Sequence, residues 1–335
     1  MATPTVPDLL SQARLARSVA DLKAKADQAR TEAVTGRFED QTRAAKGDIG
    51  GVQLLFKALE DAKTYQQTLA LAETRASQTQ TALAGLTLDT RRISTDALSY
   101  LGRGDAIALR ALSDDAEKSL YTVFSALNSS FGGRALFSGD AVDQVALGDV
   151  EDLLADVRAI VAGAADETAA RTALDAYFND PAGGFETTIY GGGAGPAPSV
   201  EIAPGLRISA GTKANAQPIK DLIRSLALIA SYETLPASGA AGRDAIATEA
   251  ALLAIDAEAR VIELRAEIGV SESRIRQSKL RHEAEELILT GVVNQKTARD
   301  PYEAASALQS IESQLEAAYL VTSRLAGLSL ANFLR

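Results

Sequence analysis

The chain has 335 residues, 46% of them hydrophobic but only 5% aromatic, and it contains no cysteine, no tryptophan, one methionine and one histidine. Disulfide-stapled folds are therefore excluded, and most metal and nucleophile–histidine chemistry has no residues to use. The net charge of −10 disfavours nucleic-acid binding, because phosphate contacts need a basic surface. No run of about 18 apolar residues is present to span a bilayer. The start, MATPTVPDLLSQARLARS, lacks the charged, apolar and small-residue regions of a secretory signal. If the protein leaves the cell, it is expected to do so without a cleaved signal peptide.

A first helix is predicted after Pro7. Leu15, Val19, Leu22, Ala26, Ala29 and Ala33 alternate at spacings of four and three, which gives one apolar stripe. Thr35-Gly36 is a stop signal, and residues 36–51 read as a loop. A second helix keeps heptad spacing from Leu55 through Leu69, Leu83 and Ile93 to Tyr100, about 45 residues and about 68 Å. A third is expected to open near Asp114, with Glu117 as a capping-box partner, and to end at Gly132-Gly133.

The middle of the chain reads differently. Two short helices are predicted over residues 149–178, split near 163–166. Strands are predicted at Phe185–Tyr190, Ser199–Ala203 and Leu206–Ser209, with Pro204-Gly205 as a turn. A short helix then covers about 217–232. A long one covers about 243–289, carrying the stripe Leu252, Ile255, Ala259, Ile262, Ala266 beside a second stripe, Val261, Leu264, Ile268, Ile275. A break is expected over 290–301.

The last helix, ending LEAAYLVTSRLAGLSLANFLR, is apolar on several faces. Such a helix must be buried on several faces, although chain termini ordinarily fray into water. Leu315, Leu325, Leu328, Leu330, Phe333 and Leu334 at this end, and Leu15, Val19 and Leu22 at the other, are the candidate assembly-interface residues. The alternative for each is an intramolecular core contact.

No chemical motif survives inspection. His282-Glu283 begins like a zinc-protease helix, but the second histidine of that motif is missing. The run Gly191 to Gly195 is followed by Pro196-Ala197-Pro198 and a strand, whereas a phosphate loop should open a helix. Asn128-Ser129-Ser130 matches a glycosylation triplet at a helix end. No catalytic, cofactor-binding or metal residues are assigned, no cofactor is expected, and the chain is not read as an enzyme.

The segment Leu127-Asn128-Ser129-Ser130-Phe131-Gly132-Gly133-Arg134-Ala135-Leu136-Phe137-Ser138-Gly139 resembles a signature of the hook-associated branch of the flagellin superfamily. Leu315-Glu316-Ala317-Ala318-Tyr319, with Leu325, Leu328, Ser329 and Leu330, resembles the same family's C-terminal helix. The asparagine- and serine-rich start usual in filament flagellins is absent, which favours a junction protein. The resemblance implies a mainly α fold: an elongated helical bundle or coiled-coil rod formed by the N- and C-terminal segments, with a small α/β insertion domain. Its expected parts are residues 1–45 plus 295–335 as a terminal inner domain, 46–140 plus 212–294 as a helical rod, and 141–211 as the insertion. It implies a structural component of the bacterial flagellum, extracellular, joining the hook side to the filament. The implied partners are copies of itself, flagellin, another hook-associated protein and an export chaperone, with no nucleic acid and no membrane span. Alternatives are filament flagellin, a non-flagellar coiled-coil adaptor, or a secretion needle-tip protein.

Overall fold

The computed structural model describes residues 6–40, 48–235 and 240–333, with side chains described over 13–40, 48–235 and 242–324. The helices are α1 (Val6–Thr35), α2 (Ile49–Arg103), α3 (Ala106–Leu127), α4 (Val150–Gly163), α5 (Glu167–Asn179), α6 (Gln217–Ala230), α7 (Ala240–Thr297) and α8 (Pro301–Phe333). Two small antiparallel hairpins, β1 (Ser130–Phe131) with β2 (Arg134–Ala135) and β3 (Ser199–Ala203) with β4 (Leu206–Ser209), join them, with a π-helical turn at Phe185–Ile189 and a 3-10 turn at Tyr232–Thr234. The fold is mainly α, with long helices packed together and a small α/β part. The chain divides into two compact units, residues 1–64 with 282–335, and residues 65–281.

The heptad seam of α2 is the spine of the second unit. Leu69, Ala76, Leu83, Leu86, Ile93 and Ala97 are all buried. The seam also carries Thr79 and Thr90, which is tolerable because each hydroxyl donates to the carbonyl four residues back, at 3.0 and 2.7 Å. Such back-bonding satisfies a buried hydroxyl without a second element. Around this spine, α3, α6 and the small-residue face of α7 share one core with Leu147, Leu153, Val157, Leu174, Phe178, Phe185 and Ile189 of the middle segment.

Several elements differ from the expectation. Helix α3 opens at Ala106, not near Asp114. Asp105 is its cap, accepting from the Ala108 amide at 3.1 Å, and Leu109 and Leu112 extend the buried stripe one turn and more upstream. Glu117 is not a capping partner but pairs with Arg158 at 2.7 Å. Phe185–Ile189 is a π-helical turn rather than a strand. The β-branched run suggested an extended segment, but the backbone coils, with the Tyr190 amide donating to the Phe185 carbonyl at 2.8 Å and both Phe185 and Ile189 buried. The break before α8 is also shorter, because α7 continues to Thr297.

On α7 the two stripes separate. Val261, Ile268 and Ile275 are buried, whereas Leu252, Ile255, Ala259, Ile262 and Ala266 are exposed. Upstream of Val261 the core side is lined by Ala247, Ala250, Ala251, Ala254 and Ala257. Alanines let neighbouring backbones approach closely, so the face with the smaller side chains took the packed position.

The signature segment works as an internal staple. Leu136, Phe137 and Ser138 are buried. The Phe137 carbonyl accepts from Ala214 at 2.9 Å and the Ser138 carbonyl from Gly193 at 2.8 Å. Gly139 has φ +64°, and a Cβ there would lie 3.0 Å from the Gly195 carbonyl. Gly132 and Gly133, at φ 60° and 75°, form the tight β1–β2 turn, in which both central residues need positive φ.

Three tyrosines report on this unit. Burial pushes Tyr190 up to about 12; burial and then the hydrogen bond to Asp244 push Tyr232 up to about 12; Tyr177, buried and bonded to Asp156, is raised further. An unfolded tyrosine titrates near pH 10. The folded state therefore holds these protons more tightly, and the stability this confers is full below about pH 10 and is lost as pH rises towards 12. With no tryptophan in the chain, tyrosinate absorbance can be read directly. Urea unfolding at about pH 11 should show a lower midpoint than at about pH 9, and Tyr232→Phe should lessen the difference.

Candidate assembly interface

The first unit pairs the two ends of the chain. Helices α1 and α8 pack together in antiparallel fashion, with Arg30 facing Glu312 at 3.4 Å and Glu32 facing Arg299. Leu15, Val19 and Leu22 on α1, and Ile311, Leu315 and Ala318 on α8, are half-buried. Leu325, Leu328, Leu330 and Phe333 lie on α8 beyond the described side chains, and Leu334 lies outside the described residues.

Where the two ends enter and leave the pair, a polar clasp fixes them. Gly36, at φ 67°, ends α1 in the left-handed conformation that glycine adopts at no steric cost. The backbone then crosses to the other strand of chain: Phe38 donates to Thr297 at 3.0 Å and Arg299 to Gly36 at 2.9 Å. The Arg299 guanidinium ion-pairs with the buried Glu32 carboxylate and lies 5.4 Å from the Phe38 ring centre. Glu32 also accepts from the Gln28 side chain and the Glu39 amide, both at 3.1 Å. On the other side Asp300 caps α8 through the Tyr302 amide at 2.7 Å, and Pro301 occupies the first helical position, where its missing N–H costs nothing.

Breaking a buried pair leaves an uncompensated charge, at about 3–5 kcal/mol. Glu32→Ala is therefore expected to raise amide hydrogen exchange in α1 and α8 strongly, while leaving exchange in residues 65–281 unchanged.

The burial of this unit is thin. Among its described residues the buried apolar side chains are Ala26, Ala29, Val52, Ala62, Val293 and Ala304. Leu54, Leu287, Ile288, Tyr302, Tyr319, Leu320 and Val321 are exposed, the last three by 51%, 62% and 47%. Sequence reasoning identified the apolar end of α8 but missed the Glu32–Arg299 clasp, whose partners are 267 residues apart.

The positions singled out for chemistry have structural roles here. Asp140, from the chain itself, sits against the glycine loop and accepts from the Gly195 amide at 2.9 Å; a Cβ on Gly193 would meet that carboxylate at 1.8 Å. Asn128 accepts from the Leu147 amide at 2.8 Å and donates to its carbonyl at 2.9 Å. His282 is buried beside Glu285, at 3.0 Å. Among the described residues no group of three or more histidine or carboxylate side chains could hold a metal ion, and no helix is long and apolar enough to cross a membrane.

No family model matches the sequence, and no curated protein matches it. Solved structures do. A flagellar hook-associated protein from Vibrio parahaemolyticus superposes with a TM-score of 0.53 at 14% identity, covering 77% of this chain and 98% of that one. FlgL from Bacillus cereus superposes with a TM-score of 0.51 at 14% identity, covering 72% and 98%. The chain has the fold seen in these two hook-associated proteins.

Proposed function

We propose that this protein is a structural component of the bacterial flagellum, a hook–filament junction protein that works by assembling with other copies. The observation that carries the reading is the first unit's thin core. Its ends are paired, yet its described apolar burial is five alanine and valine positions plus Ala304, while an apolar strip of α8 faces outward. A monomer rarely exposes a large contiguous apolar patch unless the patch is a binding site. The shared fold with hook-associated proteins supports placing that surface in a flagellar assembly, outside the cell. In this reading the partners are copies of the chain, flagellin on one side, another hook-associated protein on the other, and a chaperone during export. The interface residues are Leu15, Val19, Leu22, Leu315, Leu325, Leu328, Leu330, Phe333 and Leu334. The role is mechanical rather than catalytic.

A solution assay separates this from filament flagellin. The purified chain should stay monomeric, lose α1 and α8 first under limited proteolysis, and form no long filaments alone. Efficient self-polymerisation would favour flagellin. Protease-resistant ends in the monomer would favour a free-standing adaptor.

A further inference from the structure

Two surfaces of the unit formed by residues 65–281 lack a partner among that unit's described residues, and they match each other. The first is a groove of about 320 Å³ between α2 and the β3–β4 hairpin. Its floor is apolar, built from Leu71, Ala72, Ala76, Val200 and Ala210. Arg75 and Arg134 also line it. Arg75 donates to the Ala135 carbonyl at 2.7 Å, and burial together with the like charge of Arg134 holds its pKa below the ordinary value. Neither arginine forms an ion pair with a described residue. Two unneutralised guanidinium groups over an apolar floor fit an apolar segment that carries carboxylates.

The second surface is the exposed stripe of α7: Leu252, Ile255, Ala259, Ile262 and Ala266. Asp256 is engaged with Arg260 on the same helix. Glu263 and Glu267, one turn apart beside Ile262 and Ala266, are exposed and form no ion pair with a described residue. The stripe cannot reach the groove of its own chain. The groove lies level with Arg276, which pairs with Glu73 of α2 at 3.0 Å, and Ile262 is 14 residues from Arg276 on the same unbroken helix, about 21 Å.

We propose that the acid-edged stripe of one copy docks into the arginine-rimmed groove of the next, placing Ile262 on the apolar floor and Glu263 and Glu267 against Arg75 and Arg134. The contact joins two different surfaces, so it repeats from copy to copy, the geometry that generates rings or helical rows. It deepens the assembly reading above, and its test can fail independently of that reading.

The natural chain has no cysteine, so introduced thiols report cleanly. Leu71→Cys and Ile262→Cys alter exposed positions, and circular dichroism of each variant checks that the fold is kept. In the assembled state recovered from cells, the double variant of the full chain should oxidise to a ladder of linked copies. Mixed single variants should give only the unlike pair. Arg134→Glu should lower the yield about tenfold or more, since like charges then face each other, and adding Glu263→Lys should restore it. Linkage between like positions, linkage to a different protein, or no rescue by Glu263→Lys would each overturn the proposal. A junction location without the ladder would discard the docking and keep the junction role. A ladder in protein located elsewhere would keep the docking and discard the junction role.

Discussion

Removal of residues 325–335 is expected to abolish incorporation into the flagellum while residues 65–281 stay folded. The two halves of this expectation rest on different parts of the molecule. The largest buried side chains among the described residues, with Leu83, Leu120, Phe137, Phe178 and Phe185 among them, lie in 65–281, the unit that does not contain the deleted segment. The deleted segment contributes Leu325, Leu328, Leu330, Phe333 and Leu334, and it continues a helix already exposing Tyr319, Leu320 and Val321. Fully burying one leucine or phenylalanine side chain stabilises by about 1.5–3 kcal/mol. Losing five from an interface therefore exceeds what a weak assembly can tolerate. Helical content of the truncated monomer, compared with the intact one, checks the first half. Swimming and filament attachment check the second, and a motile cell carrying only the truncated form would refute the interface argument.

The second large effect should come from the signature segment. Phe137→Ala is expected to destabilise residues 65–281 by about 3–5 kcal/mol, the usual cost of emptying an aromatic core site. The loss should be cooperative, because the flanking backbone ties the β2 end of the hairpin to Gly193 and Ala214 through the hydrogen bonds at 2.8 and 2.9 Å. Gly139→Ala should add a smaller loss of about 1–3 kcal/mol, from forcing a side chain into a left-handed backbone position. Urea unfolding followed by circular dichroism measures both. A small shift for Phe137→Ala would mean that this segment does not hold the core. These two substitutions also separate fold from assembly, since the first unit's exposed apolar strip is untouched by either.

Long, regular features were legible in the sequence. The α2 seam could be read from Leu69 to Ala97 because heptad spacing fixes which face turns inward whatever the partner. The β3–β4 hairpin was legible from Pro204-Gly205, where Gly205 takes φ 74°. Features decided by competition between faces or by remote residues were less so. On α7 both apolar stripes had good periodicity, and periodicity cannot say which one finds a neighbour; the side of Val261, Ile268 and Ile275 did, continued upstream by alanines, leaving Leu252, Ile255 and Ile262 outside. At Phe185–Ile189 local β-preference yielded to a π-helical turn closed by backbone hydrogen bonds from Thr187 to Gly183 and from Tyr190 to Phe185. The start of α3 was misplaced because Asp114 and Glu117 imitate a capping box inside a helix that Asp105 had already capped. The Glu32–Arg299 clasp left no local trace, since each residue alone reads as an ordinary surface charge. The groove holding Arg75 and Arg134 is similarly a product of tertiary packing between segments far apart in sequence.

The half-buried states of Leu15, Val19, Leu22 and Leu315 have a physical meaning in this account. Each is partly covered, and in the proposed assembly the remaining surface is what a neighbouring molecule would cover. The two uses are complementary, because the clasp at Glu32 and Arg299 sets the pairing of α1 with α8 before any neighbour arrives. Pre-pairing of this kind lowers the ordering cost that assembly has to overcome.

The position of the protein in the living cell tests the central claim most directly. A fluorescent label on the full chain, imaged together with a filament stain, should appear as a single spot at the base of each filament. Label distributed along the filament, or confined to the cell body with filaments intact, would contradict the account.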